Sequence, residues 1–261
     1  MFFYYTSNLR EKMISFFGLK EKINRLIPQF PAKIFTKPFI TVSREPGSGG
    51  SPIAKAVAKK LNFKLVDDQI IDQIAKSTKK RKEIIASIDE KSRSAIADMV
   101  HATLNPEYVS GVKYKHELAK AILTYACKGN CVIIGRGAHL ITPFTKGLHV
   151  NIISSYKNRV KMAMKFEGHD EEKAKKIIKE VEKERDDFIK KFFGRTLKKR
   201  TDFDLIINTD VLDLRGARDI VATAFRAKFP KWQIGDFVKQ QSKVVQTAVE
   251  SLPVWKDRMA K

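Results

Sequence analysis

Cysteine is scarce in this chain. Two thiols, Cys127 and Cys131, stand among 261 residues, which excludes a disulfide-stapled secreted scaffold. Long apolar runs are missing too: charges interrupt every hydrophobic stretch before it reaches membrane-spanning length. Acidic residues are few beside basic ones, 29 against 51, a formal charge of +22. An excess of that size predicts attraction to polyanions (nucleotides, nucleic acid or an anionic membrane surface) and says nothing of fold. Histidine is thinly spread, and His101, His116, His139, His149 and His169 make no metal-ligand pattern. Zinc on Cys127 and Cys131 would need two further ligands, so buried thiols are expected instead. No haem or flavin is expected, and no repeat or low-complexity tract occurs. What is present suffices for a core: 43% hydrophobic and 10% aromatic residues exclude disorder as the main state. The length is large for one compact domain without requiring two. The chain reads as a soluble, basic, cytoplasmic globular protein.

Three segments are distinguishable. Residues 1–38 form a basic extension. Its aromatic start, Met1 to Tyr5, precedes the charges, the reverse of a secretory signal, and Glu11 and Glu21 argue against a mitochondrial presequence. Leu9, Met13, Phe16 and Phe17 fall at helical spacing, so residues 9–27 read as an amphipathic helix docked on the main domain. A membrane-surface or RNA contact is the alternative. Pro28, Pro31 and Pro38 make an extended linker. Residues 39–229 alternate strands and helices. Strands are read at Phe39-Ile-Thr-Val-Ser43, Phe63-Lys-Leu-Val66, Cys131-Val-Ile-Ile134, Leu148-His-Val-Asn-Ile-Ile153 and Phe203-Asp-Leu-Ile-Ile207. Helices are read at 51–61, 68–75, 80–103, 114–128, 155–166, 170–193 and 214–229. That alternation argues for a parallel sheet covered on both faces. Residues 230–261, with Trp232, Phe237, Val244, Val245, Ala248 and Val249, suit one more helix.

The segment with the most chemical content is strand, glycine-rich turn and helix at 39–61. Glycines let backbone N–H groups converge on an anion, and the following helix adds its positive end. Set against Gly-x-x-x-x-Gly-Lys-Ser/Thr, the turn has Arg44 at the first glycine, Gly49 at the second, Gly50 at the lysine and Ser51 at the hydroxyl. The bland alternative is a tight turn that packs a helix on a sheet.

The stretch Ile40-Thr-Val-Ser-Arg-Glu-Pro-Gly-Ser-Gly-Gly50 resembles the phosphate loop of the cytidylate-kinase-like family, where glycine replaces the usual lysine. Three further segments agree in order: a strand followed by Asp67, the run Asn130-Cys-Val-Ile-Ile-Gly-Arg-Gly-Ala138, and Arg185 in a charged helix before Asp204-Leu-Ile-Ile-Asn-Thr209. The resemblance spans about residues 39–226. It implies a P-loop NTPase-type parallel α/β sheet of about five strands with acceptor-binding segments and a helical lid near 170–200.

The implied activity is ATP-dependent phosphoryl transfer to a nucleoside monophosphate such as CMP or dCMP, with magnesium accompanying the ATP. Such transfer needs positioning and charge neutralisation more than covalent help. Arg44, Gly47, Ser48, Gly49, Gly50 and Ser51 are implied at the donor phosphates, Ser51 also as magnesium ligand. Arg136 suits the acceptor phosphate, and Asp67 the acceptor sugar or base. Arg159 and Arg185 are further catalytic arginines, Arg185 on the lid. The competing expectation is a weakly active or inactive kinase fold that binds nucleotide or RNA. Its basis is the +22 charge, the basic segment 190–200 and Phe188, Phe192, Phe193 and Phe203 as stacking rings.

Overall fold

The structure, a computed structural model, describes residues 34–103, 112–193 and 200–232. The helix expected over 9–27, the basic turn 194–199 and most of the C-terminal extension lie outside the described residues. Five parallel strands form one sheet: β1 (Phe39–Arg44), β2 (Lys64–Val66), β3 (Cys131–Ile134), β4 (Gly147–Ile153) and β5 (Leu205–Asn208), in the order β2-β3-β1-β4-β5. In β1, Thr41 is level with Ile133 of β3 on one side and His149 of β4 on the other. The strand order, with the loop leaving the central strand, is the expected P-loop type of α/β fold.

Side-chain alternation along each strand sorts the core into two layers. Ile40 and Val42 of β1 and Val132 and Ile134 of β3 join α1 (Gly50–Leu61) on one face, where the chain's closing helix also packs. Phe39 and Ile133 point to the other face. They meet α2 (Asp68–Lys76), α3 (Thr78–Ala86), α4 (Glu90–Thr103) and α5 (Val112–Lys128). The linker residues Ile34 and Phe35 already belong to this second layer, at 3% and 8% exposure.

One expected helix is two. The run 80–103 is interrupted at Ser87-Ile-Asp89. Ser87 turns its hydroxyl back onto the carbonyl of Ile84 and so ends α3. The Asp89 carboxylate then accepts from the backbone N–H and hydroxyl of Ser92, at 2.8 and 2.7 Å, and starts α4. The short α6 (Ala138–Ile141) is one that the periodicity did not reveal, whereas α7 (Tyr156–Glu167), α8 (Glu171–Phe193) and α9 (Leu214–Lys228) fall within two or three residues of expectation. Asp170 opens α8 as expected, accepting from the N–H of Lys173 at 2.8 Å. Both cysteines are buried thiols. Cys127 donates to the carbonyl of Ile34, and Cys131 to that of Tyr125. Among the described residues no helix is long and apolar enough to cross a membrane.

His149 is a titratable group in the middle of this fold. Its ring is fully buried on β4, with Nδ1 2.6 Å from the Thr41 hydroxyl and the rings of Phe39 and Phe144 beside it. Burial pushes its pKa from 6.5 down to about 4, the Asp204 carboxylate opposing and Lys228 reinforcing the shift. The folded state therefore favours the neutral ring. Its contribution is whole above the unfolded value of 6.5 and is lost as pH falls through the folded value near 4. Urea melts from pH 7 to pH 4 should show a loss on the order of 3 kcal/mol from this group. His149→Gln should flatten the part of that limb above about pH 5, where ordinary carboxylates are still ionised.

Candidate functional site

The loop after β1 is held at both ends. The N–H of Glu45 donates to Ile152 at 3.0 Å, and the Glu45 carboxylate accepts from the N–H of Ser154 at 3.0 Å. Ser48 folds its hydroxyl onto the Glu45 carbonyl at 2.8 Å, while Thr209 of the β5 end donates to the Ser48 carbonyl at 2.9 Å. Gly47 has φ +76°, and a Cβ there would lie 2.7 Å from the Arg159 carbonyl oxygen, so both the conformation and the space demand glycine. Gly49 is the left-handed N-cap of α1, with no side chain to cover the helix's first N–H groups. Those groups and the positive helix end therefore remain open to an anion.

Arg159 supports the loop from beneath. Its side chain is 8% exposed. It donates to Glu182 of α8 at 2.6 Å and to the Pro46 carbonyl at 3.4 Å, and it sits 3.7 Å from the Glu45 carboxylate. It joins loop to helix and is not part of the cleft wall.

At the end of β3, Gly135, Arg136 and Gly137 all have positive φ, at 72°, 49° and 66°. A non-glycine residue in that conformation costs about 1–2 kcal/mol, so the turn holds Arg136 out of its preferred backbone shape. The side chain is fixed in return. Nε and Nη2 donate to the two carboxylate oxygens of Asp72 at 2.8 and 2.5 Å, and the guanidinium lies 5.1 Å over the Phe188 ring. Burial alone would lower the Arg136 pKa, but the Asp72 pair outweighs it and holds the group above its ordinary value. Tyr114 donates to the same Asp72 oxygen at 2.9 Å, and burial followed by the Asp72 contact pushes the phenol up to about 12.

A cleft of about 390 Å³ opens between this turn, the start of the loop and α8. Arg44, Arg136 and Arg185 meet there. Arg44 donates through Nη2 to Asp68 at 2.8 Å, and Arg185 donates to the Arg44 backbone carbonyl at 2.8 Å. Burial raises the Asp68 carboxyl, but the Arg44 bond and charge and the Arg136 charge outweigh it and hold the group below its ordinary value. Arg185 drops to about 10, first from burial and then from the charge of Arg44. Carboxylates of Glu45, Glu182, Glu184 and Asp186 rim the same cleft.

The expected site residues divide. Arg44, Arg136 and Arg185 come together. Residues 47–51 form the adjoining loop and helix start, outside the cleft wall. Ser51 is exposed on the first turn of α1. Its hydroxyl is a hard oxygen of the kind magnesium takes, and a nucleotide-borne ion needs few protein ligands. Asp67 does not reach the cleft; its carboxylate caps α2, accepting from the N–H of Ile70 at 2.8 Å. The carboxylates that engage the arginines are Asp68 and Asp72, four apart and hence on one helix face. That spacing was the available signal. Phe188 and Phe192 stack on each other at 4.2 Å and pack on the apolar layer, and Phe203 stacks on His139 at 4.6 Å. Their faces are engaged within the protein. Among the described residues no three His, Cys, Asp or Glu are grouped to hold a metal.

A sequence profile of the cytidylate kinase-like family matches residues 39–211. No curated protein matches the chain. Among solved structures, an uncharacterized protein from Eubacterium ventriosum ATCC 27560 superposes with a TM-score of 0.56 at 22% identity, over 73% of this chain and 99% of that one, which shows a shared fold. A shikimate kinase from Bacteroides thetaiotaomicron gives a TM-score of 0.38 at 16% identity, over 73% and 96%. A dephospho-CoA kinase from Campylobacter jejuni gives 0.32 at 14%, over 74% and 97%.

The docking of α8 on the Gly-Arg-Gly turn can be separated from backbone strain. A Cβ on Gly137 would meet the Phe193 ring at 2.4 Å, whereas at Gly168, with a similar φ of +68°, it would meet nothing within 4 Å. Gly168→Ala should cost about 1–2 kcal/mol in chemical denaturation. Gly137→Ala should cost more, and it alone should speed amide exchange in residues 185–193.

Proposed function

The chain belongs to the cytidylate kinase-like family, and on that footing we propose that it transfers the terminal phosphoryl group of ATP to a nucleoside monophosphate of the CMP or dCMP type. One observation carries the reading: Arg44, Arg136 and Arg185 converge from three separate elements on one cleft beside a glycine-rich loop. Guanidiniums held close against their mutual repulsion suit a ligand carrying several negative oxygens.

The N–H groups of Gly47, Gly49 and Gly50 and the start of α1 bind the donor phosphates, while that of Ser48 stays on the Glu45 carbonyl at 3.3 Å. Ser51 holds the magnesium that arrives with the nucleotide, and that ion, when bound, neutralises charge on the donor phosphate oxygens. Arg136 binds the acceptor phosphate through Nη1 and the second N–H of Nη2, since the Nε N–H and one Nη2 N–H are engaged with Asp72. A phosphate oxygen of the acceptor forms a new bond to the γ-phosphorus. The bond from that phosphorus to the β,γ-bridging oxygen breaks, and ADP leaves with the electron pair. The acceptor phosphate is already ionised at neutral pH, so no side chain has to remove a proton. Arg185 neutralises charge as the transfer proceeds and, from α8, excludes water. Arg159 keeps the loop and α8 in register through Pro46 and Glu182. Asp67 acts on the acceptor through α2, by fixing the helix that carries Asp68 and Asp72. On this reading the protein works in the cytoplasm, where ATP and nucleoside monophosphates are available.

The test is product formation from ATP, magnesium and a panel of nucleoside monophosphates, with ADP and nucleoside diphosphate expected in equal amounts. Triphosphate binding without any diphosphate product would reduce the protein to a nucleotide-binding module. Arg136→Ala should weaken acceptor binding by on the order of 2–5 kcal/mol and leave triphosphate affinity nearly unchanged. Arg185→Ala should lower turnover more than it lowers affinity for either substrate.

A further inference from the structure

The loop cation of this protein stands at the opposite end of the loop from the usual lysine. A phosphate loop with the spacing Gly-x-x-x-x-Gly-Lys-Ser/Thr has glycine first and lysine seventh. Here the first position is Arg44 and the seventh is Gly50. The two positions touch. A Cβ built on Gly50 would lie 2.4 Å from the Arg44 Cβ and 3.0 Å from its Cγ. Gly50 is not among the positive-φ residues, so conformational freedom does not call for glycine there. Room for the Arg44 stem does. The head of the same side chain occupies a second vacated position: a Cβ on Gly135 would lie 2.2 Å from Arg44 Nη1.

The guanidinium so placed is not a surface group. Its side chain is 10% exposed and belongs to the cleft wall. Nη2 is anchored on Asp68, and Nε is buried with no hydrogen-bond partner among the described residues. The Arg44 carbonyl meanwhile receives Arg185, so the same residue organises a second cleft arginine.

We propose that positions 44 and 50 have exchanged duties, and that Arg44 is the catalytic cation on the transferring phosphoryl group. It reaches that group from the β3 side of the loop rather than from the start of α1. The proposal rests on the phosphotransferase reading above. Because the Arg44 head lies against Gly135, next to Arg136, it stands between the donor loop and the acceptor arginine. A planar guanidinium there can bond to a γ-phosphate oxygen and an acceptor phosphate oxygen together, which the point charge of a lysine does not do in the same fixed geometry. Asp68 sets the plane of the group. No proton moves; Arg44 supplies charge while the phosphorus–oxygen bonds exchange.

The experiment compares Arg44→Met, Arg44→Gly, Gly50→Lys and the double variant Arg44→Gly with Gly50→Lys. It reads turnover, affinity for a fluorescent ATP analogue, and thermal unfolding. Arg44→Met should lower turnover about 10²–10³-fold with a smaller loss of affinity. Gly50→Lys alone should lose stability, because its side chain meets Arg44. The double variant should regain at least about tenfold in turnover over Arg44→Gly. A double variant that regains stability but no turnover reduces the pair to packing and overturns the proposal. So does a folded Arg44→Met enzyme with wild-type turnover. If the wild-type protein binds the triphosphate analogue but transfers nothing, the phosphotransferase reading fails and affinity decides the exchange. It must then fall in Arg44→Met and return in the double variant, and unchanged affinity overturns the proposal. Absence of triphosphate binding by the wild type overturns both.

Discussion

Mutual repulsion among Arg44, Arg136 and Arg185 is the constraint around which the site is arranged. Three cations in one cleft disperse unless something fixes them, and each is fixed differently. Arg44 is held by Asp68, Arg136 by both oxygens of Asp72, and Arg185 by a backbone carbonyl. Asp68 and Asp72 share one face of α2, so a single helix supplies the counter-charge for two strands' ends. Arg185, which has no carboxylate within hydrogen-bonding distance among the described residues, has its pKa lowered by burial and then by the charge of Arg44. The arrangement keeps each guanidinium in one orientation.

The sequence of α8 looks too polar to pack, yet the helix is anchored along its length. Ala174 and Ile178 form a small cluster with Val160 and Ala163 of α7. Phe188, Phe192 and Phe193 pack on the layer that holds α2 to α5, and Ile189 is buried beside Gly137. The apolar stripe is narrow and discontinuous, and its middle passes over the cleft. The charged residues there, Glu182 and Arg185, therefore do the bonding that apolar side chains do at the ends.

The fold was legible because its signals are local. The apolar runs of β1 and β3, the glycine turn at 45–50 and the helical spacing of α1 and α9 all lie within a few residues of what they specify. The site was legible only in part. Arg136 stands out because two glycines flank it after an apolar strand. Asp67 drew attention by following a strand, but its carboxylate caps α2, and the carboxylates bonded to Arg44 and Arg136 stand one and five positions later. Arg159 falls beneath the loop because Gly47 leaves room for its backbone, a contact between positions 112 residues apart that no local pattern encodes. The split between α3 and α4 was missed for the opposite reason: Ser87 and Asp89 carry a cap signal that helical periodicity overrides when read alone.

The contact between Gly50 and Arg44 also constrains how such a loop can change over generations. Any side chain gained at position 50 first meets the Arg44 stem, and loss of Arg44 first removes one of the three cleft arginines and the one bonded to Asp68. Each single step away from the present pair is thus harmful before the second can repair it. A lysine-bearing loop and this one are separated by a valley, and a lineage that settles on one side is held there by sterics as much as by chemistry.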